Sequence, residues 1–189
     1  MGRRTKQLSE ADERALDRAR RDAAFAQIRQ YPDPCLKERA REVEEFDDDV
    51  ASLAARMLRL MDDAHGAGLA APQIGLLRRV LVYQLEDEEP VVLVNPTVTD
   101  ASEETEVVDE GCLSLNLLIQ RDVNLPVERP SSISIHAFDV AGEEIEFDAD
   151  GHEARVVQHE IDHLEGTLIL DRTDVEHRRL GLRTLRGVV

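Results

Sequence analysis

The segment Gln158-His159-Glu160-Ile161-Asp162-His163 constrains this chain more than any other part of its sequence. Two imidazoles four residues apart lie on one face of a helix and can grip a single ion. The carboxylate of Glu160 sits beside that face, within reach of a metal-bound water. A catalytic metal takes three protein ligands and keeps one position open, so the fold must bring a third ligand to this helix from elsewhere. The bland alternative is a solvated helical face. Two protease patterns do not complete. A metzincin has Gly three residues after the second His and another His three later; Gly166 is present, but Ile169 stands where that His belongs. A thermolysin-like enzyme needs a Glu on a later helix, and Glu176 lies only 13 residues past His163, across the Gly166 break.

The remaining soft ligand is Cys112, in Glu110-Gly111-Cys112-Leu113-Ser114-Leu115. On residue chemistry alone it reads equally as a ligand or as buried packing between Gly and Leu. A third informative run is His65-Gly66-Ala67-Gly68-Leu69-Ala70-Ala71-Pro72-Gln73-Ile74-Gly75. Its small residues allow another backbone to approach closely. It lacks the Gly-Lys-Ser/Thr ending of a phosphate-binding loop and follows a helix, so a simple helix stop and turn is the competing reading.

Periodicity places these motifs on elements. Residues 7–30 carry a thin apolar stripe and predict a helical extension, ended by Tyr31-Pro32-Asp33-Pro34. Val50, Leu53, Met57, Leu60, Met61 and Ala64 recur at three and four residues, which predicts an amphipathic helix over Asp49 to His65. Strands are expected at Val80 to Leu85, Val91 to Val94, Ile133 to Phe138 and Glu144 to Phe147, with a turn at Asp139 to Gly142. Asp150-Gly151 opens the helix that carries the two histidines, and Gly166 closes it. Helix, strands, then helix indicates an α+β domain.

Charge narrows the function classes. The formal net charge is −17 over 189 residues. Residues 1–30 carry +3 and residues 171–189 carry +2, so the body between them holds −22. Such a body repels phosphate backbones and anionic lipid, which argues against direct DNA binding and membrane-surface binding. No stretch approaches the ~20 apolar residues of a membrane helix, and no apolar signal core follows the N-terminus. Two widely separated cysteines, Cys35 and Cys112, form no disulfide framework. A reducing cytoplasm is the expected setting.

Together the three runs resemble the peptide deformylase family, whose signatures Gly-x-Gly-x-Ala-Ala-x-Gln, Glu-Gly-Cys-Leu-Ser and Gln-His-Glu-x-Asp-His stand here at Gly66 to Gln73, Glu110 to Ser114 and Gln158 to His163. The resemblance spans residues 28–172. It leaves residues 1–27 as a helical extension and 173–189 as a basic C-terminal tail. It implies an α+β fold with antiparallel β-sheets packed around a central metal-binding helix, preceded by an N-terminal helix. It also implies a hydrolase that removes the formyl group from the initiator formyl-methionine of nascent polypeptides.

By that likeness Cys112, His159 and His163 hold one divalent ion. Ferrous iron (Fe2+) is the family's common metal, with zinc, nickel or cobalt as alternatives. A metal-bound hydroxide attacks the formyl carbon, and Glu160 serves as general base and then acid. Gln73 and the backbone N–H of Leu113 receive the developing oxyanion. Gly66, Ala67 and Gly68 form a wall along which the peptide pairs as an added strand, and Val156 lines the methionine pocket.

The chain departs from the family after Leu115. The stretch 116–128 is several residues longer than expected, and either Arg121 or Arg129 corresponds to the family's groove arginine. A rival class is a non-catalytic module on the same fold that uses this stretch to hold N-termini or a partner. The arginines of the tail invite a contact with ribosomal RNA, against which stand a dimer contact and a solvated end.

Overall fold

The computed structural model describes residues 9–187. Helix α1 (Glu10–Phe25) opens on a capping box, in which the Ser9 hydroxyl accepts from the Asp12 N–H at 3.2 Å and the Asp12 carboxylate accepts from the Ser9 N–H at 3.3 Å. It ends short of the two prolines. Arg29 and Tyr31 give their N–H groups to tertiary partners, the carbonyls of Gln73 at 2.6 Å and Ser114 at 2.9 Å, and so are not available for another helical turn. Positions 7 and 8 of the predicted extension lie outside the described residues.

Helix α2 (Asp48–Asp63) matches the predicted amphipathic element, capped by Asp47, whose Oδ1 accepts from the N–H groups of Asp49 and Val50. Val50, Leu53, Met57, Leu60 and Met61 are buried against Ala24 and Ile28 on one side and Leu69, Val80 and Val82 on the other. Each such side chain contributes about 1.5–3 kcal/mol by leaving water.

Seven strands follow: β1 (Gly68–Ala70), β2 (Val80–Tyr83), β3 (Val91–Ala101), β4 (Thr105–Glu110), β5 (Leu125–Pro130), β6 (Ser132–Phe138) and β7 (Glu144–Asp150). Five form one antiparallel sheet in the order β1-β2-β3-β6-β7, and β4 and β5 make a separate antiparallel ribbon. Strand β3 runs seven residues beyond the predicted Val94, through two irregularities in its register with β6. The ribbon was not foreseen: Val107 and Val108 of β4 are both exposed, and β5, which buries Leu125, Val127 and Arg129 in alternation, carries a charge at one of those positions and prolines at 126 and 130.

Helix α3 (Asn116–Gln120) occupies the long stretch after the second motif, and helix α4 (Gly151–Leu164) carries the third. Helix α4 buries Ala154, Val157 and Leu164 against Leu81, Ile135 and Ala149 of the sheet, at the centre of the molecule. This is the α+β arrangement that the resemblance implied. Gly166, just beyond α4, has a φ of +71°, and a Cβ there would lie 2.7 Å from the carbonyl carbon and oxygen of Lys37.

The chain closes with α5 (Ile169–Arg172) and α6 (Val175–Leu185). Gly181 and Thr184 are buried, and Leu182 and Leu185 pack on the cluster of Leu36, Leu115, Leu125 and Leu170. The basic end is therefore a docked helix over 175–185, with Arg178, Arg179, Arg183 and Arg186 on its exposed side. Val188 and Val189 lie outside the described residues. Cys35 and Cys112 are both free thiols. Among the described residues no helix is long and apolar enough to cross a membrane.

Candidate metal centre and catalytic cleft

Three donor atoms converge where β4 ends against α4. Cys112 follows β4 by two residues, and His159 and His163 project from successive turns of α4. One ligand atom from each lies within 4.8 Å of the other two, the only such group of His, Cys and carboxylate side chains among the described residues. The Cys112 Sγ is 3.3 Å from His163 Nε2, and the two imidazole rings sit 5.1 Å apart, nearly edge to face.

The surroundings act differently on the two imidazoles. His159 Nδ1 lies 2.8 Å from Glu110 Oε2, which fixes the ring; burial opposes its protonation, but the hydrogen bonds with Cys112 and Glu110 prevail and push the imidazole well above its ordinary range, so an arriving cation would displace a proton from it. His163 is 1% exposed; burial, with the charges of His159 and Arg129, pushes its imidazole well below the ordinary range and keeps it neutral. His163 Nδ1 has no hydrogen-bond partner. A thiol and two imidazoles of this kind suit a borderline-soft divalent cation.

Glu110 ties this centre to the body of the protein. Burial opposes its ionisation, but the hydrogen bonds from His159 and Arg129 prevail and hold it well below the ordinary carboxylate range. Arg129 donates through Nε to Oε1 at 2.7 Å and through Nη2 to Oε2 at 3.0 Å, and Arg155 Nη1 adds a bond to Oε1 at 2.8 Å. Arg129 Nη1 also reaches Asp162 Oδ2 at 2.9 Å, and Arg172 closes on Asp162 from outside. Arg129, 4% exposed, is thus a structural charge in this network. Sequence reasoning gave no role to Glu110, Arg155 or Asp162. The only signal was that Glu110 and Asp162 belong to the second and third motifs.

Glu160 differs from these paired groups. It is 4% exposed, and its Oε2 has no hydrogen-bond partner. Burial raises its carboxyl to about 7, despite the opposing charges of His159 and Arg129. The space beside it exists because residue 68 is glycine: a Cβ there would lie 2.5 Å from Glu160 Oε1. Gln73 is 1% exposed and fixed at both ends of its amide, Oε1 accepting from the Ala70 N–H at 2.7 Å and Nε2 donating to Ser114 Oγ at 3.2 Å.

These groups open on a cleft of about 330 Å³. Gly66, Ala67, Gly68, Gln73, Cys112, Leu113, Val156, His159 and Glu160 all line it, and His163 lies behind them. Ile119 of α3 also lines it, so the long stretch does border the cleft. His65 and His152 line it as well, and sequence reasoning had assigned neither a role. The arrangement suits hydrolysis of a small polar group at the end of an extended chain. A buried carboxyl, Glu160, lines the cleft beside Cys112 and His159 of the candidate metal cluster, and the Gln73 amide lines it too.

Comparison with known proteins bears on the same region. A sequence model of the polypeptide deformylase family matches residues 25–179. The peptide deformylase of Desulforudis audaxviator is 38% identical over 156 residues, covering 82% of this chain and 98% of its own. That of Clostridium botulinum is 42% identical over 150 residues, covering 79% and 97%. Among solved structures, peptide deformylase from Plasmodium falciparum superposes with a TM-score of 0.78 at 32% identity, covering 85% of this chain and 94% of that one. The enzyme from Thermotoga maritima superposes with a TM-score of 0.73 at 39% identity, covering 78% and 96%.

Proposed function

Because the chain belongs to the peptide deformylase family, hydrolases that remove the N-formyl group of nascent polypeptides, we propose that it takes the initiator formyl-methionine as substrate and uses Glu160 as the proton carrier. The observation that carries this reading is the unpartnered, buried Glu160 beside the Cys112, His159 and His163 cluster.

Those three residues would hold one divalent ion, with ferrous iron as the family's metal and zinc, nickel or cobalt as substitutes. When bound, such an ion supplies Lewis acidity and lowers the pKa of a coordinated water to ~7. Glu160 Oε2 takes a proton from the attacking water and returns it to the amine as the C–N bond breaks, giving formate and a free N-terminus. Gln73 Nε2 and the Leu113 N–H receive the carbonyl oxygen as charge develops on it. The peptide pairs along Gly66 to Gly68, next to the open edge of β1, and Val156 bounds the pocket for the methionine side chain.

We assign this chemistry to residues 28–172 and place the enzyme in the cytoplasm. The exposed arginines of α6 fit a contact with RNA near emerging chains. Charge reversal at Arg179 and Arg183 tests that contact by ribosome co-sedimentation better than deletion does, since Gly181 and Thr184 are packed. For the reaction itself, the test is formate release from formyl-Met-Ala-Ser after anaerobic purification with metal analysis. Glu160→Gln is expected to keep the metal and lose turnover by about 10²- to 10⁴-fold. Absence of formate from metal-replete unmodified protein would overturn the reading.

A further inference from the structure

Helix α1 reaches the rim of the cleft. Asp17 Oδ1 lies 3.0 Å from His65 Nε2, a contact across 48 residues of sequence. His65 lines the cleft immediately before the Gly66-Ala67-Gly68 wall. Its backbone is left-handed, with φ +55°, and is pinned by the bonds His65 N–H to Asp62 O and Gly66 N–H to Met61 O, both 2.9 Å. The imidazole is therefore fixed at its base by a turn and at its tip by the N-terminal helix. Both side chains are about half exposed, 52% and 58%, so neither is there to fill the core.

The position of the pair defines what it can touch. Gly68 abuts Glu160, and an extended chain advances ~3.3 Å per residue, so His65 stands at most about 10 Å from the reacting centre along the wall. A peptide lying antiparallel to β1, with its formyl group at Glu160, carries its second and third residues past His65. The Asp17 carboxylate accepts from Nε2–H with the ring neutral or charged, and in the neutral ring Nδ1 is then a lone-pair acceptor. The pair has a net charge of −1 with neutral imidazole and zero with imidazolium. Exposed Asp109, which also lines the cleft, adds a further negative charge.

We propose that His65 is a specificity-determining residue for the second and third residues of the substrate, favouring hydroxyl and ammonium donors over carboxylates, with Asp17 as its positioning residue. The proposal rests on the deformylase reading above.

The test is a double-mutant cycle of Asp17→Ala and His65→Ala on formyl-Met-Ala-Ser, formyl-Met-Ala-Asp and formyl-Met alone. The unmodified enzyme is expected to prefer the Ser peptide to the Asp peptide. Each variant reduces that preference by about two- to fivefold, the scale of an exposed charged pair, and acts through KM. The double variant loses no more than the worse single one, and formyl-Met alone is handled equally by all four proteins. Additive losses, or an equal loss on formyl-Met, would overturn the proposal. If the unmodified protein releases no formate, the deformylase reading fails by itself. The proposal is then decided by the Kd values of Met-Ala-Ser and Met-Ala-Asp, measured by calorimetry on the same four proteins, where the same pattern is required.

Discussion

Glu110 Oε2 and His159 Nδ1 stand 2.8 Å apart, and the same carboxylate is gripped by Arg129 and Arg155. One residue thus orients an imidazole of the candidate metal site and pairs with two buried guanidinium groups. Glu110→Gln is expected to weaken metal retention about 10- to 100-fold, read as the chelator concentration that strips half the metal. Unchanged retention would show that His159 is oriented without Glu110.

Gly68 leaves the room that the Glu160 carboxylate occupies. In Gly68→Ala the new methyl would sit 2.5 Å from Oε1 and 2.8 Å from Cγ, so the carboxylate must move away from the reacting centre. A displacement on the scale of 1 Å costs about 10²-fold in kcat. Kinetics beside a thermal melt check this: the melt should shift little while kcat falls.

Gly166 closes α4 against the backbone of Lys37 and Glu38. Gly166→Ala meets both a left-handed φ and a backbone contact at 2.7 Å that no side-chain rotation relieves. Destabilisation of about 2 kcal/mol or more is expected in urea titration. A loss under about 0.5 kcal/mol would mean that the turn can re-form elsewhere.

Acid should weaken the tether between the turn at Pro34–Lys37 and α5. Burial opposes ionisation of Asp171, yet the Lys37 ammonium at 2.6 Å and the Leu168 N–H hold its carboxyl below the ordinary range. A depressed carboxyl contributes stability that is fully present above the unfolded value, ~3.9, and is lost as pH falls through the folded value. Asp171→Asn should therefore cost about 0.5–1 kcal/mol at pH 7, and the gap should close below about pH 4. A gap that persists at pH 2.5 would assign the loss to packing.

Helices α2 and α4 were legible because their signals are local. The three-and-four spacing from Val50 to Ala64 and the stop at Gly166 are contained within single elements. The ligand set was legible only in part. Two imidazoles on one helix are a short-range pattern, whereas Cys112 gains its meaning from a contact across 51 residues. The buried charges were hidden for the same reason. Arg155 and Asp162 carried no assigned role, because the Glu110 and Arg129 that pair with them come from the β4–β5 ribbon, far away in sequence. That ribbon was itself unmarked, since the valines of β4 are exposed and β5 turns a charged side chain, Arg129, inward between two prolines. The junction of Asp17 with His65 had no sign at all in either segment.

Strand β1 is three residues long and stands at one end of its sheet. An open edge, here the one proposed to hold the substrate, is also a place where identical chains can stack into aggregates. Here the edge is bounded by the left-handed turn at His65 and by the helical turn that begins at Ala71. It offers room for a few residues of guest peptide and too little for a foreign strand to propagate. Brevity keeps this edge from gathering unfolded chains indiscriminately, which suits a member of a family that meets polypeptides before they fold.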